Sequence, residues 1–165
     1  MSIRSKATIL PPDTRIKDKL ANRKLDELVD EFKLKKAGKV VRQNIPNFQD
    51  QAKSDMRELA DALVQLQEQE GKDPIALQNI SSLAYRIKGI AGTFGYHLAT
   101  QVSKDLFNYL GSRKSLDKFG MIVTEAYIKT LQSIFTHDIY GDGGDTGSEL
   151  LESLQTLLEK EQKPK

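Results

Sequence analysis

The chain contains no cysteine, and this excludes a disulfide scaffold, a thiolate zinc site and a cysteine nucleophile. Histidine is scarce as well, and the two present, His97 and His137, are not spaced as a metal-binding pair. Long hydrophobic runs are missing: no apolar stretch approaches the roughly 18 residues a membrane-spanning helix requires. The amino end, MSIRSKATILPPD, has no apolar signal-peptide core, so a soluble cytoplasmic protein without membrane insertion is expected. There is no glycine-rich phosphate loop after a strand and no nucleophile paired with a base. Ordinary catalysis is therefore not expected, and no catalytic residue, cofactor or metal is assigned.

What is present is charge, unevenly placed. Lys, Arg, Asp and Glu make up 29% of the 165 residues, with a net charge of +2. Met1 to Pro46 holds 12 basic against 6 acidic residues, whereas Asn47 to Lys165 holds 13 against 17. A basic arm can meet nucleic acid or a membrane surface. Here the basic residues are interleaved with acids, so a solvated arm, or one that faces an acidic protein surface, is the expectation, and nucleic acid is not the expected partner. The length suits one domain with an appended arm. The expected division is a basic arm and helix over 1–46 and a helical domain over 47–165.

Apolar residues recur at spacings of three and four nearly throughout, and no alternating β-branched run occurs, which predicts an all-α fold. A first helix is expected from about Asp13 to Lys36, started by PPDT and striped by Ile16, Leu20, Leu25, Leu28 and Phe32. Gly38 and Pro46 then predict an irregular connector, KVVRQNIPN, with Asn47 capping a second helix that reaches Glu70. Its stripe is Phe48, Ala52, Met56, Leu59, Ala60, Leu63 and Leu66. EGKDP makes a tight connection, and Asp73 caps a third helix with Pro74 at its first position.

The third helix is expected to end near Thr93 to Gly95. A fourth follows from about Tyr96 to Leu110, burying Leu98, Val102, Leu106 and Tyr109. After the polar turn GSRKS, a fifth runs from about Leu116 to Ile139 with Ile122, Val123, Ala126, Leu131, Ile134 and Phe135 inside. Four amphipathic helices joined by short loops predict an antiparallel up-and-down four-helix bundle. The segment GDGGDTG, Gly141 to Gly147, reads as a flexible hinge before a last helix over Ser148 to Lys160, with Leu150, Leu151, Leu154, Leu157 and Leu158 facing inward. Its aspartates lack the ligand alternation and terminal glutamate of an EF-hand, so calcium is not expected there.

The third helix carries LAYRIKGIAGTFG, Leu83 to Gly95. Stepping about 100° per residue from Tyr85 places Gln78, Ser81, Ser82, Lys88, Gly89 and Gly92 on its side of the helix. Ile80, Leu83, Ile87, Ile90, Ala91 and Phe94 fall opposite and mark the core. The outward stripe is thus small and polar with one aromatic residue near its centre. A helical glycine costs about 0.5 to 1 kcal/mol relative to alanine. Gly92 can be explained by the helix unwinding into the next turn. Gly89 is less easily explained that way, and fits a surface that lets a partner backbone come close.

The order Ala84, Tyr85, Arg86, Ile87, Lys88, Gly89, then Ala91, Gly92, Phe94 and Gly95, resembles the histidine-containing phosphotransfer family, whose pattern is Ala-His-x-Leu-Lys-Gly followed by small residues and a second glycine. The likeness extends loosely over Asn47 to about Tyr140. Members of that family are four-helix bundles that carry a phosphoryl group on an exposed histidine between the receiver domains of response regulators. The resemblance implies that Lys88 helps neutralise phosphate and that Gly89 admits the receiver domain. The phosphorylatable histidine, however, aligns with Tyr85.

That exchange removes the relay chemistry. Imidazole, with a reference pKa of about 6.5, is a neutral nucleophile near pH 7, whereas a phenol near 10 stays protonated and needs an activating base. The resulting expectation is a pseudo-phosphotransfer protein, not an enzyme, that binds a receiver domain or a sensor histidine kinase through Tyr85, Lys88, Gly89, Gly92, Ser81, Ser82 and Gln78. Two alternatives stand beside it. One is an active carrier that uses His97, which is followed one turn on by Thr100 and Gln101 where the family has Lys and Gly. The other is a helical adaptor that acts through the basic front segment.

Overall fold

The structure, a computed structural model, describes residues 25–111 and 113–162. The described chain is all-α. It comprises α1 (Leu25–Glu68), α2 (Pro74–Ile90), a 3-10 turn (Ala91–Phe94), α3 (His97–Leu110), α4 (Lys118–Thr136) and α5 (Gly144–Gln162), with no strand among the described residues. No described helix is long and apolar enough to cross a membrane. By internal contacts the chain divides into two compact units, Met1–Gln43 and Asn44–Lys165.

In the first unit, the PPDT start signal, Ile16 and Leu20 lie outside the described residues. Phe32, on the expected apolar stripe, is exposed, as are Val29, Leu34 and Val40. Local bonds support the helix here: Lys35 Nζ reaches Glu31 Oε1 at 2.8 Å, and Arg42 Nε donates to the Gly38 carbonyl at 3.2 Å. The irregular connector and the new start at Asn47 do not occur, because α1 is helical through Gly38 and Pro46. Pro46 removes one rung of the helical ladder. The helix nevertheless continues unbroken from Leu25 to Glu68.

The second unit holds the core. From α1 it takes Phe48, Ala52, Met56, Leu59, Ala62, Leu63 and Leu66, with Ala60 only half-buried. The helix ends where Glu70 and Gly71 take positive φ, 51° and 78°. Gly71 N bonds the Leu66 carbonyl at 2.8 Å, and the Gly71 carbonyl accepts from Leu116 N at 2.9 Å. A Cβ at Gly71 would run into the Leu116 carbonyl, so only glycine fits this junction. Asp73 caps α2 as expected: one carboxylate oxygen accepts from Ile75 N at 2.9 Å and Ala76 N at 3.1 Å, and Pro74 opens the helix.

Helix α2 buries Ala76, Leu77, Ile80, Leu83, Ala84 and Ile87. It closes through the 3-10 turn at Gly95, whose φ of 88° ends the helix where the glycine pattern placed it. Helix α3 buries Leu98, Ala99, Val102, Leu106 and Leu110, and half-buried Tyr109 donates its hydroxyl to Glu161 of α5 at 2.7 Å. Burial, with that carboxylate beside it, pushes the Tyr109 phenol well above its ordinary range. Residues 113–117 lead into α4, Ser112 lying outside the described residues. Asp117 caps α4 through Gly120 N at 2.8 Å.

The inward face of α4 is Val123, Thr124, Tyr127, Ile128, Leu131 and Ile134. Ile122, expected inside, is 52% exposed. Thr124 is buried in its place, and its hydroxyl donates to the Gly120 carbonyl at 2.9 Å, so a polar residue is buried at little cost. Burial also pushes the Tyr127 phenol up to about 12.

Helix α5 begins at Gly144, earlier than Ser148, and the expected hinge is a fastened turn. Gly141 N bonds the Gly95 carbonyl at 2.7 Å, and Leu98 N bonds the Gly141 carbonyl at 2.8 Å. A Cβ at Gly147 would strike the Asp142 carbonyl. Gly147 therefore permits a close backbone approach, whereas a Cβ at Gly141 or Gly144 would meet nothing within 4 Å. Leu154 is buried, and Leu150, Leu151, Leu157 and Leu158 pack on the core.

Candidate docking face

Tyr85 lies on the outer side of α2, 59% exposed, two turns before the helix gives way to the Gly92 to Gly95 segment. Gln78, Ser82 and Gly89 are exposed around it, and Ser81, Lys88 and Gly92 are half-buried. The residues of the outward stripe are thus brought together, but they do not all face the same neighbourhood. Gln78 and Ser81 line a cleft of about 180 Å³ with Leu110 and Arg113 on the α3 side. Ser82 lines a cleft of about 330 Å³ with Glu58 and Asp61 of α1.

The two glycines differ. A Cβ at Gly89 would meet nothing within 4 Å, so the fold itself does not require glycine there. A Cβ at Gly92 would lie 3.2 Å from Thr100 Oγ1 and 3.7 Å from His97 Nδ1, so its small size serves the junction between the 3-10 turn and α3. Gly89→Ala is accordingly expected to stabilise the protein by about 0.5 to 1 kcal/mol, a gain of about 1 to 4 °C in melting temperature. A thermal melt checks this. A loss of stability would show that Gly89 is needed by the fold.

Phe107 of α3 joins this face, and its part was not legible in the sequence. Its ring centroid lies 5.4 Å from that of Tyr85, with the planes inclined at 51°. Lys88 Nζ sits 4.7 Å from each ring centroid. The ammonium is therefore held on two aromatic faces, an arrangement worth about 0.5 to 1 kcal/mol where solvent reaches it. The signal available was that Phe107 falls beside Leu106, off the inward stripe of its helix, leaving an outward ring without an assigned purpose. The Tyr85 hydroxyl has no hydrogen-bond partner among the described residues.

Behind the face, Arg86 reaches across to α1. Its Nη2 donates to Asp55 Oδ1 and its Nε to Asp55 Oδ2 at 3.2 Å, and Gln51 Nε2 donates to Asp55 Oδ1 at 2.7 Å. The Asp55 side chain is 1% exposed and that of Arg86 44%. The hydrogen bond to Asp55 raises the Arg86 pKa further above its already high ordinary value, so the guanidinium stays charged. Asp55 falls between Ala52 and Met56 on the inward stripe of α1, a buried acid whose partner lies 31 residues away.

His97 is the first residue of α3 and is exposed. His137 ends α4, with its Nδ1 2.9 Å from the Ser133 carbonyl. Neither belongs to the Tyr85 cluster. Among the described residues no group of three or more acidic or histidine side chains could hold a metal ion. Comparison with protein-family models, with characterised proteins and with solved structures finds no match to this chain.

Proposed function

We propose that the protein is a pseudo-phosphotransfer protein: it binds a response-regulator receiver domain or a sensor histidine kinase through the Tyr85 face and modulates two-component signalling without carrying phosphate. In this reading the Asn47 to Glu68 part of α1 and helices α2, α3 and α4 form an antiparallel up-and-down four-helix bundle. The pairwise contacts support it: Asp55 to Arg86 between α1 and α2, Gln67 Nε2 to Glu125 Oε2 at 3.3 Å between α1 and α4, and Tyr85 to Phe107 between α2 and α3.

The observation that carries the reading is the Tyr85, Lys88 and Phe107 cluster beside open Gly89. It places an exposed aromatic, a cation and unobstructed backbone on one helix face, a combination suited to a protein contact centred on one ring. Tyr85 fills the pocket around the partner's phosphoacceptor aspartate, with Lys88 meeting its acidic rim. Gln78, Ser81 and Ser82 border the contact.

Capture from extract of the native host with wild type, Tyr85→Ala and a variant lacking residues 1–46 tests the reading. A response regulator or sensor kinase recovered by wild type and by the deletion variant, and lost with Tyr85→Ala, is the expected result. Loss only on deletion would instead make the front segment the binding element.

A further inference from the structure

A second surface, built by other residues, points to a small ligand. Between α1 and the carboxyl end of α4 lies a cavity of about 490 Å³, lined by Phe48, Ala52, Met56, Tyr96 and Phe135 with Lys53 and Arg57 also on its wall. The volume is in the range of small-molecule sites, roughly 300 to 1,000 Å³. Its aromatic wall is organised. Phe48 and Tyr96 ring centroids are 5.6 Å apart, Tyr96 and Phe135 5.1 Å, and Phe48 stacks on Phe94 behind at 4.2 Å.

The polar groups around the cavity are not equivalent. Asp138 also lines the cavity and accepts the Tyr96 hydroxyl at 2.8 Å, which ties its carboxylate to the aromatic wall while leaving it charged. Lys53 and Arg57 stand one helical turn apart, both exposed, and neither is paired with an acid among the described residues. Two like charges at this spacing disfavour the helix slightly unless something negative lies between them. An apolar wall with two uncommitted cations at one side fits a molecule with an apolar body and an anionic end.

We infer that this cavity binds a small amphipathic anion, a carboxylate or sulfonate, with its apolar body against Phe48, Tyr96 and Phe135 and its charge at Lys53 and Arg57. Tyr85 is not among the lining residues, so the site and the docking face stand or fall separately.

Methionine placement supplies the test. Met56 lines this cavity, whereas Met121 lines a different cleft beside Leu116. Titration of ¹³C-methyl-methionine protein with 1-anilinonaphthalene-8-sulfonate is expected to shift the Met56 methyl resonance saturably at one equivalent and leave Met121 in place. Lys53→Ala/Arg57→Ala, which alters only exposed side chains, is expected to weaken binding about tenfold or more, since a charged hydrogen bond is worth roughly one decade of affinity. The uncharged analogue N-phenyl-1-naphthylamine is expected to bind wild type at least about tenfold more weakly for the same reason. An unmoved Met56 resonance, or equal affinity of the double variant or of the uncharged analogue, would overturn the inference.

Discussion

Tyr85→Ala is expected to weaken binding of the receiver or kinase partner about 30-fold or more while shifting the melting temperature by only a few degrees. A central aromatic residue of a protein contact typically accounts for 2 kcal/mol or more on truncation, and 1.4 kcal/mol corresponds to one decade. The folding cost is small because the ring is 59% exposed and its contacts are Phe107 and Lys88. Losing that cation contact costs about 0.5 to 1 kcal/mol, a drop of about 1 to 4 °C for a chain of this size. Calorimetric titration with the captured partner and a thermal melt of the same sample separate the two quantities. A large loss of stability with unchanged affinity would mean that Tyr85 supports the fold and does not meet a partner.

Arg86→Leu is expected to carry the largest stability penalty of the substitutions considered, about 3 to 5 kcal/mol. It leaves the Asp55 carboxylate, 1% exposed, with Gln51 as its remaining side-chain partner, and an uncompensated buried charge carries a penalty of that order. The converse substitution, Asp55→Leu, is milder, because the Arg86 side chain is 44% exposed and can turn to water. The double variant Asp55→Leu/Arg86→Leu should recover most of the loss, since removing the carboxylate removes the uncompensated buried charge that Arg86→Leu alone leaves. Urea unfolding of the three variants measures the asymmetry. Equal losses in both single variants, with an additive double, would remove the pair from the account of what joins α1 to α2.

Local chemistry was largely legible in the sequence. Asp73 followed by Pro74 could only begin a helix economically, and it does; Gly95 ends one because its φ of 88° suits a residue without a Cβ. The apolar periodicity of α2 separated Ile80, Leu83 and Ile87 from exposed Tyr85 and Gly89. What escaped depends on residues distant in the chain. Gly38 and Pro46 are the local exception: their residue types favour a break, and α1 continues through both.

The glycines at Gly141 to Gly147 looked like a hinge because their composition suits flexibility. The backbone of Gly141 is instead bonded to Gly95 and Leu98, a pairing no local pattern encodes. Phe107 reached Tyr85, and Arg86 reached Asp55, only once helices separated in sequence packed together. At the site, the position of Tyr85 was legible. The capture of Lys88 between two rings was not.

The most direct measurement of the central claim is to mix this protein with its captured receiver partner, phosphorylated beforehand on the aspartate with a radioactive label, and to follow both complex and label. The account predicts that the two proteins co-elute on size exclusion and that no label moves to this chain, because the Tyr85 hydroxyl has no hydrogen-bond partner among the described residues and His97 lies outside the docking cluster. Acid-labile phosphate appearing on this protein would contradict it and make the chain a working carrier.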